Sequence, residues 1–226
     1  MIPLKDDNPR VTFPLINTLL IVVNVAVFLH EMFLPEVEME QFIQSYGAIP
    51  LHVSQGMHYS GLFTSMFLHG GVLHILGNML YLFIFGDNIE GSMGSIRYLV
   101  FYVLCGIGAA ISHILIDPGS EVPMVGASGA ISGVLGAYML TYPKARVLVL
   151  LPILFYVSTF RVPAVVVLGL WFLNQLISGF FSTGNDQNLG GGIAWFAHIG
   201  GFVLGILLVK FFAKKQRDAD WRYDYN

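Results

Sequence analysis

The sequence is poor in charge. Only 11% of its 226 residues are Asp, Glu, Lys or Arg, against about 25% in an ordinary soluble domain. That scarcity excludes a soluble enzyme, a disordered chain and a nucleic-acid binder. A formal net charge of −3 supplies no basic field. Cysteine is nearly absent. Cys105 stands alone, so neither an intrachain disulfide nor a cysteine-rich metal site can form. The zinc-peptidase pattern HExxH is missing although seven histidines are present, and neither metal nor cofactor is expected. What the chain has instead is apolar surface, with 55% hydrophobic residues and a mean hydropathy of +0.70. Those values describe an all-α polytopic membrane protein.

Crossing the hydrocarbon takes about 20 apolar residues, within a range of roughly 17–25. Six stretches approach that length: 13–33, 71–87, 96–116, 127–142, 163–181 and 192–213. The first begins late and carries no cleavage pattern, which predicts a retained span rather than a signal peptide. A seventh apolar stretch, 147–160, contains Pro152 and is fenced by Lys144, Arg146 and Arg161. It is too short to span, and a re-entrant or interfacial segment is expected there. Six spans place all 11 basic residues on one side, at the N-terminus, Arg97, Lys144–Arg161 and the C-terminus. The opposite loops, near 34–70, 117–126 and 182–191, hold acids but no Lys or Arg. The positive-inside rule then puts both termini in the cytoplasm. The organisation expected is a cytoplasmic segment 1–12, a six-helix membrane domain 13–213 and a cytoplasmic tail 214–226, set in the cell membrane. The long 34–70 connection is too apolar for disorder and is expected to fold onto the bundle or lie in the outer interface.

Polar groups inside spans are costly and usually face the bundle interior or a wet cavity. For Asn24, His113, Asn174 and Gln175 the expectation is an ordinary interhelical hydrogen bond, worth about 0.6 kcal/mol. A second group shares one depth. His74 and Asn78 lie four residues apart at the start of the second span, hence on one face. Ser128 begins the fourth span, and His198 lies about two turns into the sixth. Gly129 and Gly133, and Ala197, Gly201 and Gly205, repeat at intervals of four, which lets the fourth and sixth helices approach closely.

A serine hydroxyl is a weak nucleophile until a base takes its proton. His198 fits that base, with no carboxylate placed as a third member, so the pair reads as a Ser–His dyad. The oxyanion that follows needs fixed donors. The backbone N–H of Ser128 and the side chains of His74 and Asn78 are the candidates. Gly126 and Gly129 would allow close approach of backbone and substrate. A metal site is a poor competitor, because Asn78 is a poor zinc ligand.

Taken together and in order, FLHGGVLHILGNM with His69, His74 and Asn78, GASG with Ser128, and AHIGGFVLG with His198, Gly201 and Gly205 resemble the rhomboid family of intramembrane serine proteases. Glu90 and the MGSIRYLVFY after it fit that family's junction between the second and third helices. The likeness covers roughly 55–213. It implies a six-helix bundle with a partly membrane-embedded first loop, a Ser128 nucleophile, a His198 base, and oxyanion help from His74 and Asn78. His69, Gly126, Gly129, Gly201 and Gly205 would be supporting positions. It also implies gating by the fifth helix and the loop after it. The reaction would be cleavage of transmembrane protein substrates near the outer face of the bilayer, without metal or cofactor. Two positions depart from the pattern. Ser60-Gly61 stands where a Trp-Arg pair is often found, and Ser132 where some members pack a Tyr under the histidine. The alternatives are a rhomboid-like protein that binds transmembrane segments without cutting them, which loss of Ser128 or His198 would favour, and a small transporter, which calls for an internal repeat not visible in the sequence.

Overall fold

A computed structural model describes residues 1–153, 156–182 and 194–214. Its long helices are the apolar runs, bounded by proline and glycine. Helix α1 (Leu15–Phe33) follows Pro14 and stops where Leu34, extended ahead of Pro35, leaves the helical region. Helix α5 (Val72–Met93) ends at Gly94, whose φ of +84° favours glycine, and α6 (Ser95–Ile116) starts at once. Helix α7 (Ser128–Thr141) stops two residues before Pro143, and α8 (Ala164–Ser182) begins directly after Pro163. Helix α9 (Trp195–Phe212) closes the bundle. Five of these helices are long and apolar enough to cross a membrane, and α7 is the shorter sixth.

Helix α7 sits at the centre, packed against α5, α6, α8 and α9. Its 14 residues rise only about 21 Å, and Ala130 through Tyr138 are buried without a break. The small residues at intervals of four bring its backbone against α9. A methyl group added at Gly201 would strike the carbonyl oxygen of Gly129, and one at Gly205 would strike that of Gly133.

The 34–70 connection folds as a chain of short helices: α2 (Glu36–Tyr46), α3 (Pro50–Ser54), α4 (Gly61–Thr64) and a 3₁₀ turn at Ser65–Phe67. It lies on the bundle, with α3 and α4 against α6, and it grips the segment leading to α7. The Ala48 N–H donates to Met124 O at 3.1 Å and the Met124 N–H to Ala48 O at 2.9 Å. The N–H of Leu51 reaches Ser120 O, and that of Gly126 reaches Ser65 O, each at 2.9 Å. The far end of the connection is tied to α1. Glu31, 2% exposed, accepts the His69 N–H with both carboxylate oxygens, at 3.3 and 3.2 Å.

The opposite end of the bundle holds a feature that hydropathy alone does not announce. The stretch expected to be re-entrant or interfacial is two strands, β2 (Arg146–Ile153) and β3 (Tyr156–Pro163), paired antiparallel with Val149 opposite Phe160. Strand β1 (Ile2–Asp6) pairs antiparallel with the other edge of β2. Val, Phe, Tyr and Thr favour pleated backbone, and Val147 and Val149, two apart, both bury against the helices. Asp6 at the end of β1 accepts from the Tyr138 hydroxyl and from Asn88 Nδ2. Beside it Arg10 pairs with Asp87 at 2.6 Å. Glu90 takes the backbone N–H groups of Ile16 and Asn17 at 3.1 and 2.8 Å, satisfying donors that the first turn of α1 cannot pair internally. The segment 1–12 is thereby built into the fold. Of the tail 214–226, all but Lys214 lies outside the described residues.

Candidate active site

Three helices begin at the same end of the bundle, and each brings polar groups there in its first turns. Ser128 is the first residue of α7. His74 and Asn78 lie on the first two turns of α5. His198 lies one turn into α9 rather than two, because that helix starts at Trp195. The close backbone contact of α7 with α9 brings His198 Nε2 to 2.8 Å from Ser128 Oγ. The other ring nitrogen of His198, Nδ1, is 2.8 Å from Gln175 Oε1 on α8. The imidazole is flanked by indoles, with Trp171 tilted over it at 6.0 Å between centroids and Trp195 edge-on at 6.2 Å. Ser132 makes no hydrogen bond to the ring. Its hydroxyl donates to the Ser128 carbonyl one turn back, at 2.6 Å.

His74 and Asn78 meet at Gly126, two residues before Ser128. Gly126 has φ +122°, a conformation open to glycine. A Cβ built there would stand 2.8 Å from His74 Nε2 and 3.6 Å from Asn78 Nδ2. Any side chain at 126 would fill that space. Asn78 is buried, and its Nδ2 has no hydrogen-bond partner among the described residues. The N–H of Gly70 points at His74 Nδ1 from 3.4 Å. With Nδ1 accepting, the proton of a neutral His74 sits on Nε2 and faces the space above Gly126. Two donors therefore aim beside a serine hydroxyl that an imidazole can deprotonate. A cavity of about 30 Å³ lies beside Ser128 on the side of α6, lined in part by Gly106, Ala109, Gly126, Ser128 and Ala197. It has room for a water molecule.

The remaining expected positions fall elsewhere. His69 is 1% exposed, with its ring 5.1 Å from that of His74 and edge-on to Phe28. It backs the His74 ring and has no hydrogen bond to Ser128 or His198. Gly129, Gly201 and Gly205 belong to the helix contact. Asn24 donates to Leu20 O on its own helix at 2.7 Å, Asn174 is exposed and His113 is half-buried. Among the described residues no three His, Cys, Asp or Glu side chains cluster as a metal would require. The loop 182–191, expected to gate the site with α8, lies almost wholly outside the described residues. Two residues carry more than sequence reasoning granted them. Gln175 makes its interhelical bond to His198 itself, and Glu31 anchors the strand of chain before His74. An ionisable side chain in the first span was the available signal for Glu31. For Gln175 nothing in the sequence named its partner.

The Rhomboid domain family model matches residues 56–215. RHOMBOID-like protein 4 of Arabidopsis thaliana is 33% identical over 147 residues, 65% of this chain and 32% of that protein. RHOMBOID-like protein 5 of the same plant is 40% identical over 78 residues, 34% of this chain and 25% of its own length. The putative rhomboid protease YdcA of Bacillus subtilis (strain 168) is 38% identical over 78 residues, 34% of this chain and 39% of that protein. The matched region spans between a quarter and two fifths of the length of these relatives.

Proposed function

The chain belongs to the rhomboid family and is an integral membrane protein, and from that premise we propose that it is an intramembrane serine endopeptidase. It cleaves transmembrane protein substrates near the outer face of the bilayer, with Ser128 as nucleophile and His198 as general base. The observation that carries the reading is the 2.8 Å contact of His198 Nε2 with Ser128 Oγ, the geometry in which a base activates a hydroxyl.

The steps follow from the placed groups. His198 Nε2 takes the hydroxyl proton as Ser128 Oγ attacks the scissile carbonyl. The oxygen of that carbonyl becomes an oxyanion. Asn78 Nδ2, His74 Nε2–H and the Ser128 backbone N–H, which has no partner within its own helix in the first turn of α7, stand ready to receive it. The imidazolium then gives its proton to the leaving amine, and the acyl group stays on Ser128. A water molecule, deprotonated by His198 in its turn, releases the new carboxyl end and restores the serine. Both termini lie on the cytoplasmic side in this reading, and the dyad faces outward.

The test uses the purified full chain in detergent with a fluorescently labelled transmembrane substrate. Cleavage is expected to vanish in Ser128→Ala and in His198→Ala, and to persist in the presence of a chelator. Cleavage by Ser128→Ala at the rate of the unaltered protein would overturn the mechanism.

A further inference from the structure

Gln175 is a polar residue on an apolar helix. Its neighbours Leu173, Asn174, Leu176 and Ile177 are exposed, whereas Gln175 is 4% exposed and turned into the bundle. Its two amide ends are distinguished by their surroundings. Nε2 lies 3.4 Å from the carbonyl oxygen of Trp171, one turn back on the same helix. A backbone carbonyl only accepts, so the NH₂ end belongs there and the oxygen end faces His198. Oε1, 2.8 Å from His198 Nδ1, likewise only accepts, which requires a proton on Nδ1. A neutral imidazole carries one N–H. Nε2 therefore presents its lone pair to Ser128 Oγ. The reverse amide orientation would donate to Nδ1, drive the proton to Nε2 and leave the serine without a base.

Resting on the dyad reading above, we propose that Gln175 is a positioning residue that fixes the tautomer of His198. It takes the place that a carboxylate holds in a Ser–His–Asp triad, without the carboxylate's charge. It orders the ring but offers no negative partner to the imidazolium. Among the described residues, the titratable groups whose charge reaches His198 are His74 on α5 and His113 on α6, both imidazoles. The packed faces of α7 and α8 meet the ring with the Ser128 hydroxyl, the Gln175 amide and the Trp171 indole. Gln175→Glu would thus introduce a negative charge at the site, where the described residues place none.

The experiment combines a direct readout of the tautomer with kinetics. In the ¹⁵N-histidine-labelled full chain in micelles, the His198 ring signals, identified by their loss in His198→Gln, are expected to report the Nδ1–H form. In Gln175→Leu that form is expected to give way to a mixture. The kcat on the labelled substrate should fall in proportion to the lost fraction of that form, about 2–10-fold, with KM unchanged. Gln175→Glu is expected to restore the Nδ1–H form and most of kcat. It should also move the acid limb of the rate profile up by roughly 1–3 pH units, as an adjacent opposite charge does. A side chain that merely fills space would produce neither the tautomer change nor the pH shift. Nε2–H in the unaltered protein overturns the proposal, as does Gln175→Leu with unaltered tautomer and kcat. If Gln175→Leu does not fold, the tautomer in the unaltered protein and the pH shift in Gln175→Glu decide. The two readings fail separately. A fully active Ser128→Ala removes the dyad, whereas an inactive Ser128→Ala beside an unchanged Gln175→Leu removes only the role of Gln175.

Discussion

Asn78 Nδ2 is a buried donor with no acceptor among the described residues. Such a group costs about 1–3 kcal/mol, and its retention makes sense where a charge appears only during a reaction. Asn78→Ala is therefore expected to lower kcat about 10²–10³-fold, the usual effect of losing one oxyanion donor, while KM moves little. Steady-state kinetics on the labelled substrate measure this, and a kcat within twofold of the unaltered value would remove Asn78 from the mechanism. At this scale much of the candidate site was legible. Ser128, His198, His74 and Asn78 announce themselves because polar groups in apolar runs are expensive and because span arithmetic places them at one depth. Gln175 was less legible for a physical reason. A lone amide in a span records that a hydrogen bond is needed, and its partner depends on how α8 is rotated against α9.

At the scale of elements, the sequence told more about helices than about the sheet. Apolar runs bounded by Pro14, Pro35, Pro143 and Pro163 mark helix limits within a few residues. The strands were hidden for two reasons. Leu148, Leu150 and Leu151 interrupt the alternation that Val147 and Val149 set up, and β1 is five residues long with nothing local to pair with. Its partner lies more than 140 residues away. The seam between β1 and the helices carries a pH dependence. Burial is the main cause that raises the Asp6 carboxyl to about 6, against its hydrogen bond from Tyr138. The folded protein thus binds this proton more tightly than the unfolded chain does, so the Asp6 contribution to stability falls as pH rises from about 4 through 6. Thermal unfolding in detergent is expected to show the unaltered protein losing stability relative to Asp6→Asn across that interval. A difference between the two that stays constant with pH would contradict it.

For the whole molecule, the placement of charge is the organising fact. Lys5 and Arg146 lie in the sheet, Arg10 reaches Asp87, and the backbone of Lys214 docks on Ser92 beside Gly94. All of these are at the end away from Ser128. A bilayer reads that sorting as orientation. Single cysteines at Glu36 and Lys144 should label from opposite sides of sealed vesicles with an impermeant maleimide, since Cys105 is buried. Labelling of both from one side would refute the topology. Helix α7 adds a consequence for the membrane itself. A transmembrane helix shorter than the hydrocarbon normally thins the lipid around it or forces flanking residues to stretch. This one is jacketed by four others, and from Ala130 to Tyr138 it has protein rather than acyl chains for its neighbours. Hydrophobic mismatch therefore falls on the outer helices, which can tilt to absorb it. The depth of the serine is set by the 34–70 chain clamped above it and the sheet docked below. It is a dimension of the protein, held by contacts within the fold.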